Sequence, residues 1–161
     1  MIALAAVMLL VPTPIGAGPR FHPAPAARGA CAPGSLAAGR RVHVELFAAG
    51  RVMIVPAGIG VRDARARFGR ITSARCRGAM WTTDPTGVVH FDGARTLGGL
   101  FAAWGRRLHP GQLLSFRGRV RLYRNGVRVA GDPRRLQLRD GDNLVLQIGP
   151  YIPPHAQYRF P

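Results

Sequence analysis

Large apolar residues in this chain recur at every second position over short runs, and each run is closed by a turn bearing glycine or proline. That pattern leaves room for little besides short strands. Val42, Val44 and Leu46 alternate with other residues, Ala48-Ala49-Gly50-Arg51 reverses the chain, and Val52 and Ile54 resume the alternation. Successive side chains of a strand point to opposite faces, so residues 41–55 read as a hairpin with one buried face. Met80 to Thr83 and Val88 to Asp92 flank Asp84-Pro85-Thr86-Gly87, whose Asp, Pro and Gly supply turn chemistry, and predict a second hairpin. Between the two, Arg62 to Arg77 holds six arginines and one aspartate without a regular apolar pattern, and reads as a basic surface loop.

A single helix interrupts the strands. Leu97, Leu100, Phe101 and Trp104 recur at three- and four-residue spacing behind Thr96, a good N-cap, and ahead of Gly105. Beyond it Phe116, Val120 and Leu122 alternate with Arg117, Arg119 and Arg121 up to Asn125-Gly126, a strong hairpin signal, and Val127 and Val129 begin the return strand. Asp140-Gly141-Asp142-Asn143 turns the chain into a last strand, Leu144 to Ile148, and the proline-bearing tail that follows cannot be a central strand. The expectation is an α+β chain: a β-grasp-like mixed sheet packed on one short helix, with an extra N-terminal hairpin, and a small β-barrel with one helix as the competing architecture.

The N-terminal part is organised differently. Ile2 to Val11 is an unbroken apolar run, half the length needed to cross a bilayer, followed by Ile15-Gly16-Ala17, a small-residue cleavage context. Residues 1–17 therefore read as a signal peptide, 18–38 as a Pro/Ala/Gly-rich linker and 39–161 as one globular domain, which places the protein outside the cell or in its envelope. No arginine precedes Arg20, so the positive segment that usually opens a signal peptide is missing. Cys31 and Cys76 are the only two cysteines, and an exported chain with an even, small number of them oxidises them. One disulfide between them is expected. Arg28-Gly29-Ala30 is a poor lipidation signal ahead of Cys31.

Charge is lopsided. Every one of the 23 basic residues is arginine, against seven acids, for a formal charge of +16. Abundant Ala, Gly, Pro and Arg without lysine is also what GC-rich coding favours, so the charge alone does not name a partner. A field of that sign still attracts nucleic acid, anionic lipid or acidic wall polymers. Arg117, Arg119 and Arg121, joined across the turn by Arg124 and Arg128, form the sharpest anion-binding candidate, but no recognition-helix, zinc-finger or RNA-binding pattern accompanies them. His43 and Glu45 share one strand face, as do His90 and Asp92, so two neighbouring hairpins could offer these four to a divalent metal. Ser35, Ser73 and Ser115 lie in no nucleophile elbow, a disulfide consumes both thiols, and the Asp140 turn lacks the later ligands of a calcium loop. No catalysis and no resident cofactor are expected. Trp81 and Trp104 read as core residues.

The pieces Val55-Pro56-Ala57-Gly58-Ile59-Gly60, Cys76, Asp84, Gly87-Val88-Val89-His90, Thr96-Leu97-Gly98-Gly99-Leu100-Phe101 with Trp104-Gly105, Asn125-Gly126, Gly131-Asp132-Pro133 and Pro153-Pro154 resemble, in order and spacing, an uncharacterised family of exported bacterial domains over residues 39–161. The family has no established activity, so the resemblance implies an address and a shape. Its alternating histidines before the first strand fall here on Gly39, Arg41 and His43, and its His-Thr-His-Asp motif falls on Trp81, Thr82, Thr83 and Asp84. With only His43, Asp84 and the later His90 kept, the resemblance implies that any metal site is lost or altered. The sequence thus favours a non-catalytic binding or structural domain docking an anionic envelope component or a protein; divalent-metal binding is the alternative, and nucleic-acid binding the third reading.

Overall fold

The computed structural model describes Ala24 and residues 30–161. The expected signal peptide and most of the expected linker lie outside the described residues. Among the described residues twelve strands, one α-helix and a 3-10 turn follow one another: β1 Arg40–Ala48, β2 Arg51–Met53, β3 Val61–Arg67, β4 Arg70–Arg77, β5 Met80–Trp81, β6 Val88–Phe91, α1 Leu97–Trp104, β7 Leu108–His109, β8 Gln112–Leu113, β9 Phe116–Arg117, β10 Arg121–Arg124, β11 Val127–Val129, the 3-10 turn Pro133–Arg135, and β12 Asn143–Ile148. The architecture is α+β, mostly sheet, with one short helix and a mixed sheet.

Strand β1 is the axis of the molecule. On one side it pairs in parallel with β12, from His43 opposite Asn143 to Ala48 opposite Ile148. On the other it is shared by two antiparallel partners, β6 along residues 40–43 and β2 along residues 46–48. β10 and then β11 extend the sheet beyond β12, and β5 extends it beyond β6. The order has two free ends, so the sheet is open and the barrel alternative does not hold. The N-terminal hairpin is correspondingly no addition: β1 holds the centre, and the later hairpin β5–β6 is the edge.

Alternation explains both faces. Val42, Val44, Leu46 and Ala48 of β1 join Leu144, Leu146 and Ile148 of β12, Leu122 of β10 and Phe91 of β6 in one core with Leu97, Leu100 and Phe101 of α1. The helix is delimited as its sequence predicts: Thr96 Oγ1 accepts from Gly99 N at 3.2 Å, and Gly105 closes the other end at φ 70°. The opposite face carries His43, Glu45, Phe47, Tyr123, Asn143, Val145 and Gln147. Residues 149–161 run across it, with Ile152 against Phe47, Tyr123 and Val145, and Tyr158 stacked on His43 at 3.6 Å. That cover is why β1 is buried on both faces although its second face is largely polar.

Two segments depart from the sequence reading. Arg62 to Arg77 is not a loop but most of a two-stranded ribbon, β3–β4, which among the described residues pairs with no other strand. The expected strand from Phe116 through Leu122 is broken: Gly118 at φ 137° bends the chain away, and Gly118 N and Val120 N donate to Gly111 O and Pro110 O. β9 therefore belongs to a small three-stranded sheet, β7–β8–β9, and β10 to the main one. The Cys31–Cys76 disulfide is formed, with Cα atoms 5.6 Å apart, and ties the segment before β1 to the end of β4. Among the described residues no helix is long and apolar enough to cross a membrane.

Candidate anion-binding cavity

The end of α1 and the β7–β9 sheet face each other across a cavity of about 670 Å³. Its lining is apolar at Met53, Ile54, Trp104, Leu114 and Phe116, and polar or charged at Arg106, Arg107, Gln112, Ser115 and Arg117. The local sequence sets this up. Gly105 ends the helix in the left-handed conformation and directs Arg106 and Arg107 off the last turn, where Arg106 N donates to Phe101 O at 2.9 Å. The facing wall turns at Leu114, held at φ 56°, an uncommon conformation for a branched side chain, and Gln112 Nε2 fixes its carbonyl at 2.9 Å. Arg106 and Arg107 also line a second, adjoining cavity of about 320 Å³ with Phe101, Leu108, His109 and Arg134.

The electrostatics of the lining are one-sided. Among the described residues no carboxylate, imidazole or thiol lines the larger cavity. All seven acids of the chain are engaged elsewhere: Asp63 with Arg75, Asp84 with Arg70, Asp92 with Arg77, Asp132 with Arg134, Asp142 with Arg124, Glu45 with His155, and Asp140 with the Arg41 backbone. The Arg134 hydrogen bond holds the Asp132 carboxyl down to about 2, so that pair stays ionised across the physiological range. The guanidinium groups of Arg106, Arg107 and Arg117 have no partner among the described residues. Three like charges around one concavity, over an indole and a phenyl ring, suit a ligand with an anionic group and a flat apolar part: guanidinium matches carboxylate or phosphate in two-pronged fashion, and the rings supply stacking area.

Of the predicted arginine stripe, only Arg117 reaches this cavity. Arg119 and Arg128 line another, of about 490 Å³, with Pro110 and Val129, and Arg128 lies 5.6 Å from the Tyr123 ring centroid. Arg121 donates to Gly149 O at 2.6 Å and Pro150 O at 2.9 Å, clamping the tail, and Arg124 sits 2.9 Å from Asp142. The break at Gly118 is the reason the five do not form one surface. Arg106 and Arg107 escape a sequence reading because cations after a helix C-terminus are ordinarily read as compensating its dipole.

The expected metal set is likewise taken apart. His43 Nδ1 lies 2.7 Å from Asn143 Oδ1 and its Nε2 2.9 Å from Thr86 O, so neither nitrogen is turned toward a cation. Glu45 holds His155 at 2.8 Å, with His43 at 3.5 Å on its other oxygen. His90 Nδ1 meets Ala38 O at 3.1 Å and its ring stacks on Trp81, and Asp92 is 2.6 Å from Arg77. Burial lowers the His90 pKa below its ordinary value, the Ala38 carbonyl opposing and Arg41 adding to the effect. Among the described residues no group of three or more His, Cys, Asp or Glu is placed to hold a metal ion. Compared with known protein families, curated proteins and solved structures, the chain matches none of them, so the geometry of this cavity stands on its own.

Proposed function

We propose that this protein is an exported, disulfide-bonded, non-catalytic binding domain of the bacterial envelope, and that its ligand carries an anionic group beside a flat apolar one. The observation that carries the reading is the trio Arg106, Arg107 and Arg117, without a counter-charge, around Trp104 and Phe116. A binding role is favoured over a catalytic one because, among the described residues, Ser115 is the lining's one hydroxyl and has no imidazole or carboxylate beside it in the larger cavity to take its proton. Export is supported by the disulfide and by the apolar run at the N-terminus. The order β2–β1–β12–β10–β11, with a central parallel pair and the helix between two hairpins, supports a β-grasp arrangement with β3–β6 inserted before the helix and β7–β9 after it.

The test uses 1-naphthyl phosphate as probe, followed by tryptophan fluorescence and calorimetry, with 1-naphthol and inorganic phosphate as the two halves of the chemistry. Saturable binding of the aryl phosphate, tighter than either half, is the expected result, and Arg106→Gln with Arg117→Gln weakens it by about two orders of magnitude, taking roughly 1.5 kcal/mol per charge-assisted pair. Equal affinity for 1-naphthol, or indifference to the two substitutions, would overturn the reading.

A further inference from the structure

A second surface, none of whose residues lines the cavity, points to a different partner. The β3–β4 ribbon holds Arg62, Arg65, Arg67, Arg70, Arg75 and Arg77 against the single acid Asp63, and Arg65, Arg67, Arg70 and Arg75 are exposed, Arg75 paired with Asp63 and Arg70 with Asp84, which leaves Arg65 and Arg67 beside the turn without an acidic partner among the described residues. It is fastened at its base by the Cys76 disulfide and the Arg77–Asp92 pair, and near its end by Ile71 N donating to Thr83 O at 2.7 Å. The turn consists of Phe68 at φ 51° and Gly69 at φ 76°. A two-residue turn with both φ values positive favours Asn-Gly, and an aromatic residue there is sterically costly. Yet the phenylalanine is not repaid by burial: Phe68 is 67% exposed, with the Arg67 guanidinium 5.2 Å from its ring centroid.

We propose that this ribbon docks on an anionic lipid bilayer, Phe68 entering the boundary between headgroups and acyl chains while the arginines behind it meet the lipid phosphates. The order along the ribbon matches the layering of a membrane interface, with an aromatic ring outermost and guanidinium groups immediately behind. Ribbons that read nucleic acid instead lay a strand face into a groove, which does not call for an apolar tip. Charge complementarity selects anionic over zwitterionic lipid, and the fastening at base and end presents the ring without an ordering cost on contact.

The experiment is co-sedimentation of the full-length chain with vesicles of phosphatidylglycerol and phosphatidylcholine, and with phosphatidylcholine alone. Binding is expected to the first and to be weaker by orders of magnitude on the second. Phe68→Asn keeps a residue that tolerates the turn, so its thermal unfolding stays unchanged or rises, while vesicle affinity falls roughly tenfold. Arg65→Gln with Arg67→Gln lowers affinity by about fivefold per arginine. Phe68→Trp reports insertion directly, as a blue shift of its emission difference spectrum on anionic vesicles. Vesicle affinity unchanged by Phe68→Asn, no blue shift in Phe68→Trp, or a blue shift produced by duplex DNA in place of vesicles would each overturn the proposal.

Discussion

At Gly60 the backbone of β5 comes so close that no side chain fits: a Cβ there would lie 1.8 Å from Met80 O, and φ is +68°. Gly50, in the β1–β2 turn, has φ +74° but nothing within 4 Å of the same position. The pair separates two costs that sequence alone merges. Gly50→Ala is expected to cost about 1–2 kcal/mol, the left-handed penalty alone, and Gly60→Ala more than about 3 kcal/mol, since the hydrogen bonds of Gly58 and Ile59 to Thr82 must also shift. Urea unfolding of the two variants side by side checks this; similar midpoints would mean that the close approach to β5 is not what fixes Gly60. His90 yields a second outcome. Its pKa is lowered in the folded chain, so between that value and the ordinary 6.5 the unfolded chain binds more protons. The neutral ring's contribution is therefore complete above 6.5 and is lost as pH falls through the folded value. Stability measured down an acidic pH series should drop less steeply in His90→Asn than in the parent. Parallel slopes would mean that His90 is not the group responsible.

The Cys31–Cys76 link closes a loop of 45 residues that contains β1 to β3 and β4 as far as Cys76, hence the sheet axis and every ribbon arginine but Arg77. On the chain-entropy account its removal costs roughly 3 to 4 kcal/mol. Denaturation of Cys31→Ala with Cys76→Ala, compared with the parent with and without reductant, measures it, and an unchanged midpoint would show that the loop is already constrained without the bond. At this scale much of the fold was legible. Thr96 and Gly105 bounded the helix, Asn125-Gly126 and Asp84 to Gly87 marked hairpins, and the alternation of β1 announced its core face. The ribbon β3–β4 is hard to read from sequence because its large buried residues are only Val61 and Ile71, too few to write a pattern: between them Ala64 and Ala66 alternate with Arg65 and Arg67, and all four are exposed. The alternation from Phe116 to Leu122 predicts one strand too long because Gly118, at φ 137°, sits inside a run whose alternation survives the bend. The polar second face of β1 invited a metal site for the same reason that it invited burial: His43 and Glu45 do share a face, but the tail that covers it brings His155 and Tyr158, whose spacing in sequence says nothing about β1.

Across the whole molecule a single fact governs both candidate surfaces, which is that seven carboxylates are set against 23 arginines and all seven are already engaged. The arginines of the cavity lining and, on the ribbon, Arg65 and Arg67 draw on the surplus, which the resident ion pairs cannot neutralise, whereas Arg70 and Arg75 are paired with Asp84 and Asp63. Two opposite salt effects follow from it. Mutual repulsion among the surplus charges opposes the compact state, and added salt screens it. Salt also weakens the ion pairs, but exposed pairs contribute only about 0–1 kcal/mol each, too little to reverse the gain from screening a formal charge of +16. Binding at the cavity and on anionic vesicles relies on the same field reaching a ligand, and must fall with salt. Raising sodium chloride from a few millimolar to about half molar shortens the screening length from roughly 30 Å or more to under 10 Å. Over that range the urea midpoint of the free protein should rise while affinity for 1-naphthyl phosphate and for phosphatidylglycerol vesicles declines. If stability and affinity fell together, the ion pairs rather than the surplus would dominate the electrostatics, and the uncompensated arginines would lose their claim to either site.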